Sequence, residues 1–188
     1  MQDLLPVKLI ALGGFIGTGK STLARLVQDQ LTAADPSSYV FVAPFAASLK
    51  ALCTEEFGWN GAKDEKGRAL LQNVGSAGRS YNPDIWGDLW QKHLKKDIAH
   101  FSTFQSPKQL IFIVDDCRYE NETQRIQKLG GHVVFLSAWW ASPGAHESEQ
   151  YNPNWADSSL VLEKDRPEPA VSSLVDLIQN LKPIGALP

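Results

Sequence analysis

Gly14-Phe15-Ile16-Gly17-Thr18-Gly19-Lys20-Ser21 is the stretch on which the reading of this chain turns. A glycine, four residues, then Gly-Lys-Ser is the pattern of a phosphate-binding loop, and a match arises by chance about once in a hundred chains of this size. The flanks support it. Residues 7–12 (VKLIAL) form an apolar run suited to a buried parallel strand. From Lys20 the sequence reads KSTLARLVQDQL, which predicts a helix with Leu23, Leu26, Val27 and Leu31 on one face. Glycines let backbone N–H groups curl around an anion without Cβ clashes, and the helix N-terminus adds partial positive charge. Gly14, Gly17, Thr18, Gly19, Lys20, Ser21 and Thr22 are therefore candidates for holding the phosphates of ATP. Lys20 would reach the β- and γ-phosphates, and the Ser21 hydroxyl would ligate Mg²⁺.

Outward from the loop, strand patterns recur at 39–43, 109–114 (QLIFIV), 132–136 and 160–162. Helical patterns lie between and after them, at 46–57, 84–101, 119–129 and 170–181, with a short one at 68–73 inside a polar, glycine-dotted stretch. Alternating strands and helices predict an α/β fold, a P-loop kinase-like five-stranded parallel sheet flanked by helices, within one domain over 1–188. Two segments break the rhythm. Residues 46–106 are too long for a simple crossover and predict a helical substrate-binding insertion. Residues 139–157 (WWASPGAHESEQYNPNWAD) predict a polar, aromatic, proline-bearing, lid-like loop. Both follow strand C-termini, where α/β sheets bind ligands.

Composition narrows the class. The 188 residues carry a net charge of −3, with 43% hydrophobic and 21% charged residues. That balance argues against a dedicated nucleic-acid binder, which shows a basic face. No apolar run approaches the roughly 18–20 residues a membrane span needs. The start, MQDLLPVKLIALGG, lacks a basic segment and reads as the first strand, not a signal peptide. Cys53 and Cys117 lie far apart, and free thiols in a reducing cytoplasm are the expectation (the host cytoplasm for a phage-encoded chain). Oligomeric state is open, a homodimer included.

Four further groups of residues carry chemistry. Asp115-Asp116 ends the QLIFIV strand, where a carboxylate suits a Mg²⁺ ligand, and either or both can serve. Lys50, Arg68, Arg79 and Arg118 are cations in the insertion and at a strand tip; arginine forks suit the oxygens of an anionic acceptor. His146-Glu147-Ser148-Glu149 falls in the lid, with no second His or Cys at ligand spacing. Trp59, Trp86 and Trp90 offer rings for stacking or for a core, Trp90 more for the core.

With these residues in hand, the chain resembles the phage-type deoxynucleoside monophosphate kinases. The resemblance runs through 45–50 (FAASLK), 66–72 (KGRALLQ), 75–79 (GSAGR), the Pro83/Trp86 pair, 116–122 (DCRYENE) and 146–149 (HESE). It implies transfer of the γ-phosphoryl group of ATP to a deoxynucleoside 5′-monophosphate. By position it implies Lys50, Arg68, Arg79, Trp86, Arg118, His146 and Glu149 around that substrate. It further implies Lys20, Arg118, Arg79 and Asp116 as the catalytic set. The family often has Asp where Ala47 stands here. The part after Leu160 fits only loosely, which leaves the adenine contacts undefined.

The chemistry agrees with that expectation. A nucleoside monophosphate is largely dianionic at neutral pH, its second pKa being about 6. It is already a nucleophile and needs no general base, and none is obvious in the sequence. The lid has no Arg, so arginines at the transition state would come from the body of the protein. A kinase of another phosphorylated acceptor would use the same core. An Asn-Lys-x-Asp guanine motif is missing, which counts against a GTPase switch, and the acidic balance counts against a motor ATPase on DNA.

Overall fold

Of the seven residues in β1 (Val7–Gly13), only Lys8 is less than fully buried. It pairs in parallel with β3 (Gln109–Cys117) on one side and β4 (His132–Ser137) on the other. β2 (Ser38–Val42) and β5 (Ser158–Val161) complete a parallel sheet of order β2-β3-β1-β4-β5. This computed structural model describes residues 5–62, 64–104 and 107–185. Residues 1–4, expected to lead into the first strand, and 105–106, at the end of the expected insertion, lie outside the described residues.

Strand alternation sorts the apolar side chains into two cores. Ile10 and Leu12 of β1 join Ile111 and Ile113 of β3 beneath α1 (Lys20–Ala34) and α6 (Glu168–Asn180). Leu9 and Ala11 join Leu110, Phe112 and Val114 on the other face, beneath α4 (Ile85–Phe104) and α5 (Glu120–Lys128). Each fully buried Leu, Ile or Phe contributes about 1.5–3 kcal/mol. Lys8 sends its ammonium to the carbonyls of Ile178 and Gln179, at 3.0 and 2.7 Å, in the last turn of α6 where a cation is favoured. On α1 the buried stripe is Lys20, Leu23, Ala24, Val27 and Leu31. Leu26, expected on it, sits off its edge and is 37% exposed.

Three helices fill the stretch between β2 and β3: α2 (Ala47–Phe57), α3 (Glu65–Tyr81) and α4. The short helix expected at 68–73 is in fact the 17-residue α3. The Asp64 carboxylate caps it by accepting the Gly67 N–H at 2.8 Å. Its glycines serve close approach and do not break it. Trp86 donates its indole N–H to the Gly75 carbonyl at 3.0 Å, and a Cβ on Gly78 would lie 2.8 Å from Trp86 Cζ2. Trp86 thereby joins Leu49 and Cys53 in a third, smaller core, against which Trp59 packs. Trp59 donates to the Ala62 carbonyl, while Trp90 lies in the sheet core as expected.

Two departures shape the site. First, β3 runs three residues beyond the expected end at Val114, and its register against β1 slips there. Ala11 faces Val114, but Gly13 faces Cys117. One extra residue in β3 is a bulge, which re-aims side chains locally. Val114 and Cys117 both enter the same core, and Asp115 and Asp116 between them both line one cavity. Second, one aromatic of the 139–157 loop anchors it to the core. Tyr151 is buried and stacks on Phe135 at 5.9 Å. Its ring covers Gly13, where any Cβ would overlap it, and its hydroxyl is 3.2 Å from Thr123 Oγ1. Asp157 accepts the Val133 N–H at 2.8 Å. The segment is therefore fastened to the core from Tyr151 onward, and only 139–150 is left to cover the cavity.

Gly78→Ala tests the reading of α3. Helix propensity alone favours Ala by about 1 kcal/mol, whereas overpacking a fixed ring costs about 1–3 kcal/mol. The variant should show a lower Tm in thermal unfolding; a higher one would mean that Gly78 gives no room to Trp86.

Candidate active site

From β1 the chain crosses outward to β2, returns to β3 beside β1, then passes to β4 on the far side. Loops leaving β1 and β3 diverge at this reversal and open the crevice where such sheets bind ligands. The phosphate-binding loop leaves β1, and Asp115-Asp116 sits at the end of β3. Between them and α2–α3 lies a cavity of about 520 Å³, a size suited to a small-molecule ligand.

The loop is preformed. Gly14, Gly17 and Gly19 adopt φ of 136°, 75° and 100°, a region that side chains disfavour. Gly17, Gly19, Lys20, Ser21 and Thr22 line the cavity. Gly14 and Thr18 shape the loop from beneath: a Cβ on Gly14 would overlap the Leu136 carbonyl, and buried Thr18 donates its hydroxyl to the Phe15 carbonyl at 2.6 Å. Lys20 is buried, its ammonium donating to the carbonyls of Gly14 and Phe15 at 2.8 and 2.7 Å. Burial first, then repulsion from Arg118, pulls its pKa down to about 8, against the attraction of Asp116 and Asp115. A desolvated cation of this kind gains most from an anion in the loop.

The two aspartates differ sharply. Asp116 accepts the backbone N–H groups of Phe45 and Ala46, at 2.7 and 3.1 Å, one on each oxygen. It pins the β2–α2 turn, and burial, reinforced by Asp115, raises its pKa. Asp115 is buried, yet its Oδ1 has no hydrogen-bond partner among the described residues. An orphaned buried carboxylate oxygen calls for a ligand. Among the described residues no three His, Cys, Asp or Glu gather for a metal. A cation here would be shared between Asp115, the Ser21 hydroxyl and the ligand's phosphates, which is how Mg²⁺ usually binds.

The expected substrate residues all come to this cavity. Lys50 arrives from α2, Arg68 and Arg79 from α3, Trp86 from the start of α4, and Arg118 from the β3–α5 turn. His146 and Glu149 close it from above. Arg79 is held by two neighbours and given room by a third. Its Nη2 meets Glu122 Oε1 at 3.2 Å, its guanidinium lies 3.9 Å from the Tyr119 ring centre, and Gly75 leaves room for Nη1. The 75–79 segment (GSAGR) thus has a physical purpose at each end. Arg118 Nη1 donates to the Ser148 carbonyl at 3.1 Å and ties the lid to the strand tip. His146 accepts the Ser148 N–H through Nδ1 at 3.2 Å, which shapes the tip of the lid and forms no metal cluster.

Tyr119, Glu122 and Gln72 also line the cavity and were not singled out as site residues from the sequence. For Glu122 a signal existed. It stands three residues after the residue preceding α5, where a carboxylate reaches back to free N–H groups. It accepts those of Arg118 and Tyr119 at 2.8 and 3.2 Å.

No family model matches the chain, and no curated protein matches it either. Solved structures do. The tunicamycin resistance protein of Deinococcus radiodurans superposes with a TM-score of 0.54 at 12% identity, over 95% of this chain and 99% of that one. The APS kinase CysC of Mycobacterium tuberculosis gives 0.47 at 15% identity, over 94% and 99%. Shikimate kinase from Bacteroides thetaiotaomicron gives 0.41 at 16%, over 92% and 98%. The fold is α/β, a five-stranded parallel sheet flanked by helices, and the first of these likenesses agrees with it. At these identities the likeness speaks of fold alone, and the site rests on its own geometry. No helix among the described residues is long and apolar enough to cross a membrane.

The unequal aspartates make a prediction. Asp115→Asn should weaken Mn²⁺ binding in the presence of ADP roughly 10–100-fold with little change in Tm. Asp116→Asn should instead lower stability by about 1–3 kcal/mol, because an amide cannot accept from two N–H groups with both its termini. Electron paramagnetic resonance of Mn²⁺ and thermal unfolding separate the two; the reverse pattern would overturn the assignment.

Proposed function

We propose that this protein is a kinase that transfers the γ-phosphoryl group of ATP to a nucleoside or deoxynucleoside 5′-monophosphate. The observation that carries this reading is the ring of cations opposite the phosphate loop: Lys50, Arg68, Arg79 and Arg118 share one cavity with Lys20. Two like charges at 4 Å cost roughly 4 kcal/mol near a protein surface. A site that must bring an anionic acceptor up to a triphosphate therefore needs cations on both sides, whereas a neutral acceptor would leave those on the far wall without a purpose. The series of motifs shared with the phage-type deoxynucleoside monophosphate kinases points the same way, and deoxynucleotide supply is the role it suggests.

In this reading the loop amides and Lys20 hold the β- and γ-phosphates of the donor. Arg79, Lys50 and Arg68 hold the acceptor phosphate, and Arg118 stands between the two. Ser21 and Asp115 would keep a Mg²⁺ ion against the donor's phosphates, where it supplies charge neutralisation. An oxygen of the acceptor phosphate attacks the γ-phosphorus, the bond to the β-phosphate oxygen breaks, and ADP and a nucleoside diphosphate result. No proton has to be removed from the dianionic acceptor, so no base is required. Catalysis consists of positioning and charge stabilisation. The lid segment 139–150, tied at Ser148 to Arg118, excludes water that would otherwise hydrolyse ATP.

ADP formation from Mg-ATP, measured with each ribo- and deoxyribonucleoside monophosphate, tests the proposal. At least one monophosphate should give rapid turnover, and Lys20→Ala should lower it by at least about 100-fold. Folded, ATP-binding protein that turns over no nucleotide but accepts another phosphorylated metabolite would transfer the reading to that acceptor class.

A further inference from the structure

Glu122 is buried, 4% exposed, and both its oxygens are committed. Oε1 receives Nη2 of Arg79, which comes from the last turn of α3. Oε2 receives the backbone N–H groups of Arg118 and of Tyr119, whose ring supports the face of the Arg79 guanidinium. One carboxylate thus fixes an arginine of the insertion directly and an arginine of the strand tip through its own backbone. Neighbouring bonds strengthen the same joint. Asn121 donates to the Pro83 carbonyl and to Asp84, and Arg125 reaches Asp88 and Gln91, so that α5 grips the α3–α4 corner and the first turns of α4.

We propose that Glu122 is a positioning residue for the acceptor phosphate, holding Arg79 and Arg118 at a fixed separation across the cavity. The inference rests on the kinase reading for its biological meaning, though not for its geometry. Glu122 bonds to both: to the side chain of Arg79, from a helix outside the sheet, and to the backbone of Arg118, from a turn. A free arginine loses rotamer entropy when it binds an anion, and fixing it beforehand spares that cost.

The carboxylate is also sensitive to protons. Burial raises the Glu122 pKa to about 7, with Asp116 adding to the shift and the Arg118 amide, Arg79 and the Tyr119 amide opposing it. Arg79 faces it from α3, Asp116, Cys117, Arg118 and Tyr119 from β3 and its turn, and Tyr151 from the core-anchored segment after the lid. Cys117, Tyr119 and Tyr151 all have pKa values raised above their ordinary range, so they stay neutral near pH 7. As pH falls through about 7, Glu122 becomes neutral and Arg79 loses its charged partner. Anion binding at the acceptor side should then weaken.

The test uses sulfate, which does not titrate in this range, with the phosphate loop already filled by Mg²⁺ and a non-hydrolysable ATP analogue. Sulfate affinity is measured by calorimetry from pH 5.5 to 8.5 on wild type, Glu122→Gln, Arg79→Ala and the double variant. Wild type should bind more weakly on the acid side, with a midpoint near 7. Glu122→Gln should bind on the order of tenfold more weakly at pH 8, lack that midpoint, and keep the affinity for the ATP analogue. In the Arg79→Ala background, Glu122→Gln should cost much less. A Glu122→Gln variant that matches wild type at every pH, or an equal cost with and without Arg79, would overturn the proposal. If Glu122→Gln fails to fold, a wild-type sulfate affinity that is flat across pH 7 overturns it by itself. Lack of turnover with every monophosphate would sink the kinase reading and leave this binding result standing.

Discussion

The pairing of β1 with β3 is the constraint on which the rest of the structure depends. It sets Gly13, the last residue before the phosphate loop, opposite Cys117, the last residue of β3. Any ligand whose phosphates sit in the loop is then beside the carboxylates of β3. The one-residue slip in that pairing matters as much as the pairing. In a regular strand Asp115 and Asp116 would point to opposite faces. With the bulge, both reach the cavity, one fastening the β2–α2 turn and the other keeping an oxygen free. Tyr151 lies on Gly13, which is why glycine stands there.

Around that joint the cavity holds more cationic side chains than a protein of net charge −3 would suggest. The acids beside them are themselves engaged, Asp116 by backbone amides and Glu122 by amides and Arg79. Buried ion pairs such as Glu122–Arg79 add little to stability, since desolvation offsets much of the attraction. Their value here is geometric. A preorganised ring of donors costs nothing to rearrange when charge develops on a transferring phosphoryl group.

What was legible in the sequence follows from the range of each interaction. The loop was legible because eight consecutive residues encode it, and β1 and α1 flank it with short-range patterns. The sheet and its helices followed from apolar periodicity, apart from shifted ends. The length of α3 did not, because Gly67, Gly75 and Gly78 read as breaks when their partners, above all the Trp86 ring, are not in view. The division of labour between Asp115 and Asp116 depends on strand register, which local sequence does not carry. Glu122 reads as an ordinary residue at a helix start until Arg79, 43 positions earlier, is seen against it. Tyr151 looks like part of a polar loop because its contacts with Phe135, Thr123 and Gly13 are all distant in sequence.

The central claim is that one cavity holds two phosphate groups face to face, the donor's on the loop and the acceptor's on the arginines. Its most direct test is the affinity of a bisubstrate compound in which adenosine and a second nucleoside are joined through five phosphates, compared with that of ATP. The account predicts binding at least about 100-fold tighter than ATP, since both subsites are filled at the entropic cost of one, and loss of most of that gain in Arg79→Ala. A compound that binds no tighter than ATP, or whose advantage survives Arg79→Ala unchanged, would contradict it.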